Sequence, residues 1–514
     1  MLLRIDSTLS HPLHNRAQTR ALEARLASEL PGHTLMRRAG LATARLAHAI
    51  APHARHIWIA CGAGNNGGDG LEAAMHLQAL RHRVSVCLLP SGSPLPADAQ
   101  QALQRAQTTG VPLLAPGDMP KDTDLVIDAL WGIGIAADAP RPLAPEARWC
   151  LEQIYRTALP VLGIDTPSGL DADTGQLLPA VAQLAPAAPA GPRHTLTMLT
   201  LKPGLFTGAG RDWSGTVWLA ALHEGAAAPA DGWLSGRPAL QAASHNSHKG
   251  SFGDVLVIGG EAWQHRGMGM EGAAVLAASA ALHAGAGRVL LHLLGSSQVA
   301  LRPAGIAPEI MLRGREAITL DAGVVVCGCG GGELVQGLLP EVLQRSPRLV
   351  LDADALNAIA AAPALQGLLL QRARQGWQTV VTPHPLEAAR LLQSDTAKVQ
   401  AQRIQAAQTL AARLQCLVVL KGSGSVIAAP GGRYAINASG NALLATGGTG
   451  DVLAGCLGAH WARLGRSDYA EADARQYWQA TLAAVWQHGH AADTWPASRA
   501  LTASRLAESL ARTL

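Results

Sequence analysis

Short apolar runs alternate with Ala/Leu-rich segments of helical spacing along the whole chain. In the first half, the runs His56–Cys61, Val84–Leu89, Leu125–Ala129 and Val161–Asp165 predict strands. In the second half, Val255–Gly259, Arg288–Leu294, Gly323–Gly328, Leu349–Asp352, Thr379–Thr382 and Leu417–Lys421 do the same. Helical periodicity fills the gaps, as at 70–81, 272–285 and 400–414. Such alternation predicts βαβ units, mostly parallel sheets and an α/β fold. Ligands of such sheets gather beyond the carboxyl ends of the strands. Each conspicuous polar cluster of this chain directly follows a strand-like run.

At 514 residues the chain is too long for one core, so two domains are expected. The stretch 222–240, with Pro229, Gly232 and Pro238, is the best linker candidate. A boundary near 230 gives domains 1–230 and 231–514. The Pro/Ala/Gly stretch 179–192 reads as a loop inside the first domain. No short repeat is visible, which argues against a solenoid. Hydrophobic content of 48% against 15% charged suits buried sheets, not disorder. The net charge is only +4, without a Lys/Arg run and with two Phe and four Tyr, so a nucleic-acid surface is not expected.

The seven cysteines are scattered through apolar surroundings. Cys327-Gly-Cys329 lacks a second Cys/His pair at ligand spacing and reads as filler in a strand-to-turn segment. A reducing cytoplasm fits this usage. The start, Met1-Leu2-Leu3-Arg4-Ile5-Asp6, is unlike a signal peptide, having an early acid and no sustained apolar region. The Ala-rich run 272–287 carries His283 and several glycines, so neither a membrane span nor a membrane partner is expected.

The densest chemical signal is Asn441-Ala-Leu-Leu-Ala-Thr446-Gly-Gly-Thr-Gly450-Asp451, followed by apolar helical positions Val452, Leu453, Cys456 and Leu457. Glycines let a backbone approach phosphate oxygens, and N–H groups at a helix start favour negative charge. A carboxylate in the same turn can take a proton from a substrate hydroxyl during phosphoryl transfer. The bland alternative is a tight turn with a helix-capping Asp. In the first half, Gly62-Ala-Gly-Asn65-Asn66-Gly67-Gly68-Asp69-Gly70 follows a strand and can make an anion nest. It is neither the dinucleotide fingerprint nor a Walker A loop. Asp128 and Asp165 each end an apolar strand, within Asp128-Ala-Leu-Trp-Gly132-Ile133-Gly134 and Asp165-Thr-Pro-Ser168-Gly-Leu. Oxygens from Asn66, Asp128 and Ser168 could hold a hard cation of low charge such as potassium.

These pieces, with Leu-Lys-Pro-Gly at 201–204 and Leu35-Met36/Ala39-Gly40, resemble the epimerase domain of the NAD(P)H-hydrate repair family over about residues 10–220. The resemblance implies a Rossmann-like three-layer α/β/α domain. It places residues 65–69, Gly132, Ile133, Gly134, Ile135, Ala136, Ala137, Asp138 and Asp165 on the hydrated nucleotide. It makes Asn66, Asp128 and Ser168 potassium ligands and Asp165 the candidate acid/base. Arg37 departs from the family's acid after Leu-Met, which is expected to affect surface or assembly.

The second half, about 240–510, resembles the dehydratase domain of the same repair system, itself similar to ribokinase-like kinases. The matching pieces are Ser247–Gly253, Ala281–Gly287, Pro308-Glu309, Asp352–Asn357, Thr382–Pro385 with Glu387, Lys421-Gly422, and 441–455, in family order. The resemblance implies a ribokinase-like α/β/α domain. It puts Lys421, Gly422, Ser423, Gly424, Ser425 and Gly450 on an adenine nucleotide. It puts Ala273, Gly330, His384 and Asp451 at the substrate, with Asp451 as base and Mg²⁺ assisting. Lys249 by resemblance lies near phosphate. Asp352 and Asp354 read equally as caps of a helix starting near Ala355. Leu386, Cys327–Gly332 and 261–271 depart from the family pattern, which bears on local loop shape.

Together these imply a cytoplasmic bifunctional enzyme, isomerase and lyase. It would interconvert the R and S hydrates of NADH and NADPH and dehydrate the S form, with ADP favoured over ATP by resemblance only. A homo-oligomer is plausible. A small-alcohol kinase is the rival enzyme reading. A first half that only binds is the non-enzyme one.

Overall fold

The apolar runs form strands within a residue or two of the positions their pattern predicts, because each is covered on both faces. His56–Cys61, Leu125–Ala129 and Asp254–Gly259 are buried at every position. Continuous apolar character is what a parallel strand between two helical layers requires. The computed structural model describes residues 2–135, 142–223, 225, 229–239, 244–295, 305–465 and 473–510. It divides into two compact units: one runs to Asp6 and resumes over His11–Leu234, the other joins Ser7–Ser10 to Ser235 onward.

In the first unit the strand order is Leu2–Arg4, Thr216–Ala220, Arg193–Met198, Val161–Ile164, Leu125–Ala129, His56–Cys61, Arg83–Leu88, Leu113–Leu114. Neighbours are parallel except for the first pair. From His56–Cys61 the chain builds towards one edge, then returns to lay Leu125–Ala129 on the other side. That reversal is the switch point where a doubly wound sheet opens a crevice. Arg193–Met198 escaped the apolar-run criterion because it carries threonines. Its buried Thr195 and Thr197 hydroxyls donate to the carbonyls of Ser214 (2.9 Å) and Thr200 (3.2 Å), so burial leaves them satisfied.

Three expectations need correction. The glycine-rich segment 62–70 is a loop only to Gly64: helix Asn65–Ala79 starts five residues earlier than the periodicity predicts. Its glycines serve close packing. A Cβ on Gly67 would lie 1.8 Å from the Gly62 carbonyl oxygen, and one on Gly68 2.5 Å from the Met36 side chain of helix Thr34–Ile50. The stretch 179–192 holds a short helix, Pro179–Ala182. The stretch 222–240 holds a strand, Gly232–Ser235.

In the second unit the order is Ile310–Leu312, Arg288–Leu293, Asp254–Gly259, Val324–Cys327, Arg348–Leu351, Gln378–Val381, Leu417–Leu420, Val426–Ala428, Tyr434–Asn437. The first seven are parallel and the last two antiparallel. Helix Thr449–Ala462 is apolar nearly all round and buried at every position but Gly450 and Asp451. A fully apolar helix belongs inside a core. It lies against helix Glu271–His283, where a Cβ on Gly455 would meet the Ala277 carbonyl oxygen at 1.9 Å. The predicted helix 400–414 is two helices, Thr396–Ala401 and Arg403–Leu414.

Candidate active sites

In the first unit the ends of His56–Cys61, Leu125–Ala129 and Val161–Ile164 carry the predicted groups. Asp128 and Ser168 are both buried. Asp128 Oδ1 accepts from Ser168 Oγ at 2.5 Å and its Oδ2 from the Ser168 N–H at 2.8 Å. Burial raises the Asp128 carboxyl above its ordinary range, and the bonds from Ser168 hold it back. The Ser168 hydroxyl also accepts from the Trp131 N–H at 2.9 Å. Asn66 reaches the same segment: a Cβ on Gly132 would lie 3.3 Å from its Oδ1 and 2.9 Å from Asp165 Oδ2. The Asn66 Nδ2 is buried, with no hydrogen-bond partner among the described residues.

Asp165 sits at φ +68°, where an L-residue is strained. Its Oδ2 accepts from the Ile133 N–H at 3.2 Å and its Oδ1 from the Met198 N–H at 3.2 Å. Lys202, fully buried, donates to Oδ1 at 2.5 Å, to the Met198 carbonyl at 2.6 Å and to Thr197 Oγ1 at 3.0 Å. Lys202 stood inside a recognised motif without being singled out. Its signal was a lone cation, Leu201-Lys202-Pro203, at the end of an otherwise neutral segment. Asp69, half-buried one helical turn beyond Asn66, has its carboxyl pushed well up by burial, then by Asp165 and Glu23. Gly67 and Gly68 are buried and Asn65 is exposed at the helix start. Gly134 is exposed, and the Ile135 carbonyl accepts from Arg16 Nη1 at 3.0 Å. Ala136, Ala137 and Asp138 lie outside the described residues.

In the second unit, Asp352, His384 and Lys421 each follow a parallel strand, and Asp451 lies in the first turn of Thr449–Ala462. That helix is capped by the backbone of Gly448 at φ +92°, not by Asp451, so the capping alternative fails. Asp352 and Asp354 do not cap helix Asp354–Ala361 either. Asp352 Oδ1 accepts from Lys421 Nζ at 2.7 Å, and Asp354 Oδ2 from the Gly332 N–H at 2.9 Å. Ligand atoms of Asp352, Asp451 and Cys329 lie within 4.8 Å of one another. Burial, then Asp352, pushes the Asp451 carboxyl up to about 7. Burial would lower the Lys421 ammonium, but Asp352 and Glu387 together hold it above its usual value.

Cys329 is a correction to the filler reading. Cys327 is strand core, but Cys329 stands against the carboxyls, with its thiol held protonated by burial, then by Asp451 and Asp352. No spacing rule separates the two cysteines. His384 caps helix Pro385–Leu392: its Nδ1 accepts from the N–H groups of Leu386 and Glu387 at 3.2 and 3.3 Å. Its Nε2 lies 3.1 Å from Glu387 Oε1, and the ring is half exposed. Burial pushes the Glu387 carboxyl up to about 7. A Cβ on Gly450 would lie 3.2 Å from Lys421 Nζ, and one on Gly330 2.8 Å from the Ala273 Cβ. Gly422 and Ser423 are exposed, Gly424 is buried, and Ser425 Oγ donates to the Gly422 carbonyl at 3.4 Å.

Among the described residues, no helix is long and apolar enough to cross a membrane. Residues 255–514 match the family model described as NAD(P)H-hydrate dehydratase, and residues 32–204 that described as YjeF-related protein N-terminus. The chain is 34% identical to the bifunctional NAD(P)H-hydrate repair enzyme of Escherichia coli (strain K12), over 83% of this chain and 80% of that one. It is 34% identical to the enzyme of that name from Gloeobacter violaceus, over 96% and 95%. A Bacillus subtilis ADP/ATP-dependent NAD(P)H-hydrate dehydratase, co-crystallised with ATP and Mg²⁺, aligns at TM-score 0.42 and 28% identity over 53% of this chain and 92% of its own.

Proposed function

Since the chain belongs to the bifunctional NAD(P)H-hydrate repair enzyme family, we propose that its first unit interconverts the R and S hydrates of NADH and NADPH, and that its second dehydrates the S form using ADP. The observation that carries the reading is Asp451. It is a carboxylate in the first turn of a buried helix, spared from capping, poised near neutrality and beside Lys421 and Asp352. A general base works best with its pKa near the operating pH.

A hydrated nicotinamide ring carries a hydroxyl on the carbon next to the ring nitrogen, and hydroxide is a poor leaving group. Asp451 takes the proton as the hydroxyl oxygen attacks the terminal phosphorus of ADP, and AMP departs. The nitrogen lone pair then expels phosphate. Loss of a proton from the adjacent carbon restores the ring double bond. Lys421, with the backbone of Gly422, Ser423, Gly424, Ser425 and Gly450, holds the nucleotide. Ala273, Gly330 and His384 line the substrate side, where the half-exposed His384 ring is held in place by Glu387. Mg²⁺ fits in part: the carboxylates of Asp352 and Asp451 would offer it hard oxygens, whereas the nearby Cys329 sulfur is a ligand Mg²⁺ does not take. The ion would supply charge neutralisation at the transferring phosphoryl group.

Epimerisation reverses one carbon. Asp165 removes the proton of its hydroxyl, the carbon–nitrogen bond breaks to a carbonyl as nitrogen gains a proton, and closure on the other face returns both. Lys202 fixes the Asp165 carboxylate for this exchange. Residues 65–69 and Gly132–Asp138 are the proposed walls of the nucleotide site. The donor set of Asn66 Oδ1, Asp128 and Ser168 is all hard oxygen, gathered at adjoining strand ends, and would suit potassium. The ion would offset the buried charge of Asp128. The boundary near 230, a cytoplasmic location and a homo-oligomer are parts of the same proposal.

The test mixes the chain with both hydrate epimers and ADP. Return of the reduced-coenzyme absorbance for the whole mixture is expected. Recovery of only half the material would remove the epimerase. A stable phosphorylated alcohol in place of reduced coenzyme would make the second unit a kinase.

A further inference from the structure

We propose that Arg403 is the positioning residue of the loop Lys421–Ser425, and that it sets affinity for the adenine nucleotide separately from affinity for the hydrated coenzyme. The inference rests on reading that loop as the nucleotide's. Arg403 is the first residue of helix Arg403–Leu414 and is 2% exposed. Its Nη2 donates to the carbonyls of Leu420 (3.4 Å), Lys421 (3.2 Å) and Gly424 (3.5 Å), and its Nη1 to Gln400 Oε1 (2.7 Å). Carbonyls from both ends of one tight loop are thus gathered on a single planar fork.

The loop is built to lie on that fork. Gly422 has φ +138°, and a Cβ there would stand 2.8 Å from Arg403 Nη1. Only glycine allows both the backbone angle and the approach. The Lys421 backbone rests on Arg403 while its side chain runs to Asp352 at 2.7 Å. One buried cation therefore fixes where the loop ends and where the acid-paired ammonium begins. Carbonyl oxygens would repel a phosphate. Turned onto Arg403, those of Lys421 and Gly424 leave the Gly422 and Ser425 N–H groups on the opposite edges of their planar peptides for a ligand, while the Lys421 N–H donates to the Pro383 carbonyl at 2.9 Å. Lysine cannot reproduce this, since its ammonium is a point charge on a flexible stem.

The experiment uses the full chain and compares Arg403→Lys, Arg403→Gln and Gly422→Ala. KM is measured separately for ADP and for the S hydrate, and a denaturant melt of the second unit in the same preparation reports folding. Arg403→Gln is expected to raise KM for ADP about tenfold or more, as loss of charged hydrogen bonds does, and to leave KM for the hydrate within about twofold. Arg403→Lys, which keeps the charge, is expected to raise KM for ADP several-fold. Gly422→Ala, which pushes the guanidinium away, should copy the Gln variant. If Arg403→Gln does not fold, the other two decide. Both KM values rising together, or KM for ADP unchanged, would overturn the proposal. Wild-type chain with no ADP-driven dehydration would overturn the functional reading beneath it.

Discussion

Two carboxylates, Asp451 and Asp165, are asked to do related work in different surroundings. Asp451 is lifted to about 7 by burial and the nearby Asp352, so a fraction of it is ionised at neutral pH and ready to accept a proton. Asp451→Asn keeps the shape and removes the base. Its kcat for ADP-driven dehydration should fall at least about a hundredfold while the epimerase rate stays, as an assay of each half-reaction checks. Asp165 is clamped by a fully buried lysine. Lys202→Met would leave that carboxylate without its ion pair, costing about 3–5 kcal/mol of stability in the first unit, read by urea unfolding, and stopping epimerisation. Asp165 was legible because it ends an apolar run, and Asp451 because it closes a glycine-rich turn just before one. Lys202 and Cys329 were not, because what each touches comes from other strands.

Helix Asn65–Ala79 owes its seat, on its own entering loop at Gly62 and on helix Thr34–Ile50, to missing side chains. Gly67 opposes a backbone oxygen and Gly68 the flexible tip of Met36. Backbone cannot yield as a methionine can. Gly67→Ala should therefore displace the start of helix Asn65–Ala79, costing about 1–3 kcal/mol and most of the epimerase activity. Gly68→Ala should be milder, and thermal melting of the two variants beside their epimerase rates tests the ranking. The glycine cluster was visible in the sequence, but the close packing that Gly67 and Gly68 also serve was not. A run of glycines looks like a loop when the partner that needs the space, helix Thr34–Ile50, is out of view. Strands with threonines inside them, such as Arg193–Met198, were missed for a similar reason. Their hydroxyls are satisfied by carbonyls that the sequence does not bring near.

The two units should respond differently to acid. His460 and His488 are buried in the second unit, and burial first of all pushes each down to about 4. The His488 Nε2 lies 2.9 Å from the Thr449 carbonyl, beside the glycine-rich turn. A histidine depressed by folding binds its proton more tightly when unfolded. Its contribution is complete above about 6.5 and is lost as pH falls towards 4, on the order of 3 kcal/mol for each ring. ADP-driven dehydration should fail before epimerisation on acidification, with unfolding of the second unit shifted to lower denaturant; a pH series of denaturant melts would show it. By itself the sequence determined the α/β class, the strand ends that carry chemistry, and the carboxylates at them. These follow from apolar periodicity and from polar groups at run ends, which are local properties. Only the tertiary structure decided what each group faces: Lys202 on Asp165, Cys329 by Asp451, Arg403 beneath the 421–425 loop. Charge, burial and reach are set by neighbours distant in the chain, and a one-dimensional pattern does not contain them.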